Sequence, residues 1–206
     1  MPSYSDYSVR DLLDAFSSAT PAPGGGAAAA LTGAPGVSFP LMAAGSRASR
    51  PPDSTDSVEL ADATDRLRSL RPTIAALVDR DAEAYTSVIT ALRLPADAGE
   101  RRRAAIESAM RAATDVPLEI MRTCRRALHD APVVASRSIR STHGDVCVAI
   151  ELLRAAVRAA GVTIDANLGS LKDPDYARAV TTERLRLGSE SDTDAETALS
   201  YFRTGG

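Results

Sequence analysis

The sequence contains no tryptophan, and aromatic residues make up only 4% of its 206 residues. Its apolar residues, 44% of the chain, are mostly alanine, leucine and valine. Small side chains let helix axes approach closely, whereas a β-sandwich core uses aromatic and β-branched residues. The composition therefore favours closely packed helices, and the length favours one core over two full domains.

The sequence also lacks the cysteine and histidine spacings that are typical of metal sites and disulfide frameworks. The two cysteines, Cys124 and Cys147, lie 23 residues apart with no Cys-x-x-Cys spacing and no histidine in helical register. A zinc site or a disulfide framework needs more ligands than these. We therefore expect free thiols in a reducing compartment and no metal site.

An excess of positive charge is absent as well. The net charge is −3, from 24 basic and 27 acidic residues, which gives no electrostatic reason to bind nucleic acid or an anionic membrane. The N-terminus carries early acidic residues and no apolar run of the kind found in signal peptides. Residues 27–44 are apolar but are interrupted by glycine and proline and are rich in weakly hydrophobic alanine, so they predict no membrane span. We expect a cytoplasmic protein without nucleic-acid or membrane partners.

Helical periodicity covers most of the chain. Ser8 and Asp11 resemble a capping box and are followed by apolar residues at i, i+3, i+4 and i+7 spacing, which predicts a helix from about Val9 to Ser18. A second helix should begin at about Gly26 or Ala27. Further helices are predicted over residues 58–92, 100–128, 145–160 and 174–187, the last one opened by an Asp-Pro pair.

The prolines and the C-terminus complete the predicted fold. We expect Pro35 and Pro40 to kink or interrupt the second helix, and residues 130–143 to form a loop. The segment 162–167 alternates like a strand but is short and isolated. The sequence predicts an all-α fold, a bent up-and-down bundle of five to six helices, with residues 1–190 as a single domain and residues 191–206 as a polar tail.

The most unusual local sequence is Thr20-Pro-Ala-Pro-Gly-Gly-Gly26. Prolines fix φ and glycines free the backbone, so we expect a non-helical loop with exposed N–H groups at the start of the next helix. Unpaired amides and the helix dipole there favour an anionic or electron-rich ligand group. An ordinary interhelical turn with N-terminal prolines explains the same residues equally well. The segment matches neither a Walker loop nor G-x-G-x-x-G.

The run from Ala19 to Leu31 resembles the signature of the formimidoyltetrahydrofolate cyclodeaminase and methenyltetrahydrofolate cyclohydrolase family. Blocks similar to those of the family follow in the same order, at Asp81-Ala-Glu-Ala-Tyr85, Leu92-Arg-Leu-Pro95, Val116-Pro-Leu118, Gly144-Asp-Val146 and Asn167-Leu-Gly-Ser-Leu-Lys-Asp173. The resemblance spans residues 8 to about 175. It implies an all-α homodimer whose cleft binds a reduced folate without a metal or a tightly bound cofactor.

The resemblance also implies the chemistry. The reactions are water addition to a methenyl bridge with ring opening, or ring closure of a formimino group with loss of ammonia. Both pass through a tetrahedral carbon between two nitrogens, and both need a group that carries a proton and offsets the amidinium charge. A carboxylate does both. This predicts a cyclohydrolase, or an ammonia-lyase of the cyclodeaminase type, with a tetrahydrofolate derivative as substrate.

Three residues are the candidates for proton transfer. Asp145 is the first, because it matches the acid of the family's Ser-Asp pair at the head of a helix, although a helix-capping acid explains it too. His143 lies two residues earlier and is of a type that exchanges protons near neutral pH, unless it is merely solvated. Asp81 and Glu83 are two residues apart on a helix and face different directions, and we prefer Asp81.

The remaining site residues are predicted to bind the substrate. Tyr85 follows Asp81 by four residues and shares its helix face, and the amide of Asn167 suits the edge of a pterin, unless it only breaks a helix. The predicted substrate-binding residues are Thr20, Pro21, Pro23, Gly24, Gly25, Gly26, Tyr85, Arg93 and Asn167.

The chain departs from the family pattern in its cations. Residues 36–47 lack the lysines with which the family ends its glycine-rich helix, and Arg47 or Arg50 replaces them imperfectly. Ala96 stands where the family has another lysine, and Gly144 replaces the serine before Asp145. A pocket with fewer cations should bind a less anionic ligand. The alternative is therefore a diverged member that performs a cyclisation, elimination or hydrolysis on a non-folate substrate in specialised metabolism.

Overall fold

The structure, a computed structural model, describes residues 3–47 and 56–203. Within these ranges it contains α-helices and single 3-10 turns but no strand, so the predicted all-α bundle is confirmed. The helices are α1 (Val9–Ser17), α2 (Gly25–Arg47), α3 (Asp56–Leu92), α4 (Gly99–Arg137), α5 (His143–Leu168) and α6 (Pro174–Arg203). The 3-10 turns are Tyr4–Asp6, Ala96–Ala98 and Arg140–Thr142.

The core lies where α2, α3, α4 and α5 meet, and α6 packs on the outside against α4 and α5. Aliphatic side chains fill this space, and the largest that are completely buried include Leu67, Ile74, Leu77, Ile120, Leu128, Ile150 and Leu153. Alanines such as Ala27, Ala30 and Ala43 are buried beside them and allow the axes to approach closely. The alanine-rich composition therefore serves the packing that the sequence predicts.

Glycines on α2 set its distance from its neighbours. A Cβ atom on Gly33 would lie 2.7 Å from Sγ of Cys124, and one on Gly36 would lie 2.7 Å from Cγ of Leu153. Both cysteines are free, as predicted, and burial raises the pKa of the Cys124 thiol to about 12. Because Gly25 lies near Thr163 while Gly36 lies near Leu153, α2 and α5 run antiparallel. We call the end of the bundle at Gly25 and Thr163 the loop end, and the opposite one the distal end.

The prolines interrupt less than the sequence predicts. α2 runs unbroken through Pro35 and Pro40, so the predicted interruption of that helix is wrong. α4 likewise continues through Pro132 to Arg137, where a loop over residues 130–143 is predicted. Each proline removes one backbone hydrogen bond, but tertiary packing of the surrounding turns offsets that loss.

Two helices extend further than the periodicity indicates. α5 continues past residue 160 to Leu168, and α6 continues past residue 187 to Arg203. The predicted boundary at residue 190 therefore falls inside a helix, and residues 204–206 lie outside the described part of the chain. Ala195 and Ala198 of α6 are fully buried, and Arg154 of α5 pairs with the neighbouring Asp192 and Glu196 of α6. The segment predicted as a polar tail is thus packed against the bundle.

Among the described helices, α2 is the one long and apolar enough to cross a membrane. The stretch Gly25–Ser46 has a mean hydropathy of 1.3, and 50% of it is buried inside the bundle. A core helix of a soluble protein meets the same criterion, so this is weak evidence for a membrane span.

Candidate functional site

The glycine-rich loop connects α1 to α2 at the loop end. Residues 18–24 have no helical structure, as predicted, and the Ala22–Pro23 peptide bond is cis. α2 begins at Gly25, so the last two glycines of the segment belong to its first turn. The hydroxyl of Thr20 donates to the carbonyl oxygen of Ala22 at 3.0 Å and holds the loop in a tight local turn. Pro21 is exposed, whereas Pro23 is buried.

Asp81 of α3 reaches this first turn. Its Oδ2 atom accepts a hydrogen bond from the backbone N–H of Ala27 at 2.8 Å, across 54 residues of sequence. A Cβ atom on Gly26 would lie 2.0 Å from Oδ1 of the same carboxyl group. Only glycine leaves room for this contact, because real Cβ atoms do not approach other atoms so closely. The acid predicted from the second sequence block therefore lies directly against the predicted loop.

The electrostatic state of Asp81 is unusual. The residue is 7% exposed, and this burial raises the pKa of its carboxyl group, while the hydrogen bond from Ala27 acts in the opposite direction. No basic side chain within residues 3–46 and 58–203 forms an ion pair with it, and Oδ1 accepts no hydrogen bond from those residues. A carboxyl group with one oxygen uncommitted and a raised pKa can accept and return a proton.

Thr163 of α5 borders the loop on another side. Its Oγ1 atom lies 3.4 Å from the position that a Cβ atom on Gly25 would occupy. No motif or spacing in the sequence singles this residue out. The first turn of α2 therefore lies between a carboxyl group on α3 and a hydroxyl group on α5.

The other predicted substrate-binding residues lie at different distances from the glycine-rich loop. Asn167 lies one helical turn beyond Thr163, and its Nδ2 atom donates to the carbonyl oxygen of Ala113 at 2.8 Å, which ties α5 to α4. Tyr85 lies one turn beyond Asp81 and is 41% exposed. Arg93 is exposed just past the end of α3, about 18 Å along the helix axis from Asp81.

Asp145 and His143 lie at the distal end. Eighteen residues of α5 separate Asp145 from Thr163, a rise of about 27 Å. The Nε2 atom of His143 is 3.4 Å from the carbonyl oxygen of Ser138, and its ring contacts the ring of Phe202 at a centroid distance of 5.0 Å. Within one chain, the structure therefore brings Asp81 to the glycine-rich loop but does not bring Asp145 or His143 there.

One contact at the C-terminal end of α3 has no signal in the sequence, because it depends on how α4 packs against that end. Arg102 of α4 donates from Nε to the carbonyl oxygen of Leu94 at 3.0 Å and from Nη2 to that of Leu92 at 3.2 Å. It thereby caps the end of α3 and fixes the segment that carries Arg93. Within residues 3–47 and 56–203, no group of three or more histidine, cysteine or acidic residues could hold a metal ion.

Comparisons with known proteins agree over most of the chain. The sequence profile of the formiminotransferase-cyclodeaminase family matches residues 8–186. A methenyltetrahydrofolate cyclohydrolase from Methylorubrum extorquens is 32% identical over 181 residues, which cover 86% of this chain and 85% of that protein. The formimidoyltransferase-cyclodeaminase of Sus scrofa is 31% identical over 207 residues, which cover 93% of this chain but only 36% of that protein.

The fold is also shared with a solved structure. The crystal structure of formiminotetrahydrofolate cyclodeaminase from Thermotoga maritima matches with a TM-score of 0.87 over 97% of both chains, at 18% sequence identity. At that identity the likeness concerns the fold.

Proposed function

Because this chain belongs to the formiminotransferase-cyclodeaminase family, we propose that it acts on a C–N bond of a reduced folate by acid–base catalysis at the loop end. The observation that carries the proposal is the buried carboxyl group of Asp81, held against the glycine-rich turn without a cation beside it in the described residues. Hydrolysis of a methenyl bridge is the favoured reaction, since the cyclohydrolase relative matches over most of both chains.

Asp81 can stabilise the positive charge of the substrate and carry the proton that the reaction transfers. The methenyl bridge of the substrate is an amidinium cation, which an ionised carboxylate in a low-dielectric setting stabilises. As the oxygen of water bonds to the bridge carbon, Asp81 accepts one proton of that water. When a C–N bond of the resulting tetrahedral carbon breaks, Asp81 returns the proton to the departing nitrogen and the hydroxyl proton leaves to solvent. The product is a formyl group on the other nitrogen.

The same arrangement serves a formimino substrate. Ring closure also creates a tetrahedral carbon between two nitrogens, and ammonia leaves once a proton has been delivered to it. The hydroxyl group of Thr163 lies beside Gly25 in the first turn of α2, where it can contact a substrate bound at the loop. The proposed catalytic group is therefore the same for both reactions, and the assay decides between them.

A spectroscopic assay with methenyltetrahydrofolate and the variant Asp81→Asn tests the proposal. Asparagine keeps the shape and an acceptor for the N–H of Ala27 but cannot carry the proton, so we expect kcat to fall by about 10²- to 10⁴-fold. Asp62→Asn is the control, since Asp62 is an exposed acid on the same helix. If the wild-type protein neither binds folate nor exceeds the background rate, the folate substrate is wrong. If Asp81→Asn keeps full activity, the role of Asp81 is wrong.

One observation favours a second substrate class. Ala96 is exposed where the family has a lysine, and no basic side chain within residues 3–46 and 58–203 pairs with Asp81. A less anionic, non-folate compound with a carbon bonded to two nitrogens would suit such a site, as expected for a diverged member in specialised metabolism. Binding of cationic amidines in the absence of folate binding would support this alternative.

We further propose that the protein is a homodimer in the cytoplasm, with no nucleic-acid or membrane partner and no tightly bound cofactor. The balanced charge and the apolar surface of Val162 and Leu185, which are 70% and 57% exposed, support an association between protein chains. Light scattering on the purified protein measures the number of chains directly, and cell fractionation measures the compartment.

A further inference from the structure

The N-terminal 3-10 turn, Tyr4–Asp6, is hydrogen-bonded to α3 beside the candidate site. The backbone N–H of Tyr4 donates to Oδ1 of Asp79 at 2.5 Å. The hydroxyl groups of Ser3 and Ser5 donate to Oδ2 of the same carboxylate at 2.5 Å and 3.1 Å. Asp79 precedes Asp81 by two residues, so the turn is anchored on the helix that supplies the candidate catalytic group.

Tyr4 extends from this anchor to the glycine-rich loop. Its hydroxyl group donates to the carbonyl oxygen of Ala22 at 3.3 Å. The other described side-chain hydrogen bonds of the loop are local. Ser18 donates to the carbonyl oxygen of Ala15 at the end of α1, and the rest join Ser18, Thr20 and Ala22. Tyr4 is therefore the described side chain that ties the middle of the loop to another element of the fold, whereas Asp81 holds only the helix start that follows.

Tyr4 and Asp79 both keep the protonation state that these hydrogen bonds require. Burial, with Tyr7 and Asp79 nearby, raises the pKa of Tyr4, so its hydroxyl group stays protonated and can donate. Burial also acts to raise the pKa of Asp79, but hydrogen bonds from Ser3, Tyr4 and Ser5 outweigh it and lower that pKa below its usual value. The anchor therefore stays ionised across the physiological pH range.

We propose that Tyr4 is a positioning residue of the candidate site, which acts through Ala22 to hold the glycine-rich loop in the conformation that binds substrate. The inference rests on the proposed function only for the identity of that substrate. The family profile begins at residue 8, so the segment that contributes Tyr4 lies outside the matched region. Tyr4, Ser3 and Asp79 also line a groove of about 530 Å³ along α3, which places the turn at an open face of the molecule.

The variant Tyr4→Phe removes the hydroxyl group and keeps the ring. We expect KM for methenyltetrahydrofolate to rise about fivefold, as the loss of one ordinary hydrogen bond implies, with kcat unchanged. Hydrogen exchange of the loop amides of Ala19, Thr20 and Ala22 should become several-fold faster, while the midpoint of thermal unfolding stays constant. The control is Tyr7→Phe, because the Tyr7 ring packs on Tyr4 at a centroid distance of 5.2 Å and its hydroxyl group has no described hydrogen bond.

A second variant, Asp79→Ala, releases the anchor and leaves the Tyr4 side chain intact. It should reproduce the faster loop exchange and the higher KM, because Tyr4 needs the anchor in order to reach Ala22. Unchanged loop exchange in both variants would overturn the proposal, as would a fall in kcat at constant KM. Faster exchange in a protein that does not convert methenyltetrahydrofolate would support the role of Tyr4 and refute the proposed substrate instead.

Discussion

Two aspartates among the described residues are buried within the bundle, and their charges are compensated differently. Asp130 is 3% exposed, and Arg66 donates to it from Nε at 3.0 Å and from Nη2 at 2.7 Å, so its charge is balanced by a guanidinium group. Asp81 is 7% exposed, and the backbone N–H of Ala27 is its one hydrogen-bond donor within residues 3–46 and 58–203. Burial alone therefore does not distinguish a structural acid from a functional one. The distinction lies in whether the charge is compensated and in what space surrounds it.

The space around Asp81 gives the largest expected effect. Gly26→Ala would place a methyl group 2.0 Å from Oδ1 of Asp81, so the carboxyl group or the first turn of α2 must move. We expect activity to fall at least about 100-fold, because catalytic groups tolerate little displacement. The free energy of unfolding should fall by about 1–3 kcal/mol, as in other overpacked sites. Enzyme assays and urea denaturation measure the two effects.

Gly24→Ala is the matched control for this substitution. A Cβ atom on Gly24 would meet no atom within 4 Å, and the backbone there does not need a positive φ. Stability should therefore stay close to that of the wild-type protein, and any fall in activity should be much smaller than that of Gly26→Ala. If both glycine variants lose activity equally, the loss arises from loop flexibility and not from the contact with Asp81.

The second expectation concerns the two acids themselves. Asp130→Asn should lower the free energy of unfolding at neutral pH by about 1–2 kcal/mol, a moderate figure because Arg66 is 56% exposed and screened by solvent. Activity per folded molecule should not change. Asp81→Asn should do the reverse, with a large loss of activity and no loss of stability. Urea denaturation of both variants with parallel assays provides the measurement.

The free energy of unfolding of Asp81→Asn should also depend on pH differently from that of the wild-type protein. The pKa of Asp81 is raised in the folded protein, mainly by burial, so the wild-type protein loses stability as the pH rises from the ordinary aspartate value through the raised one. Asp81→Asn lacks this titration. The free energy of unfolding of the variant should therefore increase relative to that of the wild-type protein as the pH rises above the ordinary aspartate value of about 4, and level off above the raised pKa. A difference that shrinks with pH would contradict the raised pKa of Asp81.

The helices and their starts could be predicted from the sequence, but the C-terminal ends of α4, α5 and α6 could not. The capping residues Ser8 and Asp173 mark α1 and α6 because caps act locally, and Ser8 accepts the N–H of Asp11 as expected. The continuation of α4 beyond Pro132 depends on burial of Val134, and that of α6 depends on burial of Ala198. Such contacts come from distant parts of the chain and leave no periodic signal of their own.

Part of the candidate site could likewise be predicted from the sequence, and part could not. The glycine-rich loop and Asp81 could be singled out because their residue types and blocks are distinctive. Their contact could not, because it depends on the alignment of α2 with α3 across 54 residues. Thr163 and Tyr4 carry no sequence signal at all, and they emerge only once the helices are packed.

The smallest effect is expected at the distal end, where the catalytic role of Asp145 stays a prediction. This acid lies in the first turn of α5, about 27 Å along the helix from Thr163, so it cannot reach a substrate bound at the glycine-rich loop of its own chain. Its contribution there is that of a carboxylate near a helix N-terminus, about 0.3–1 kcal/mol of stability. Asp145→Asn should therefore leave kcat/KM within about threefold of the wild-type value in the spectroscopic assay. A loss as large as that of Asp81→Asn would mean that the distal end of a second chain completes the site. Mixing the two inactive variants would then restore activity through hybrid dimers, an outcome that a site built from one chain does not allow.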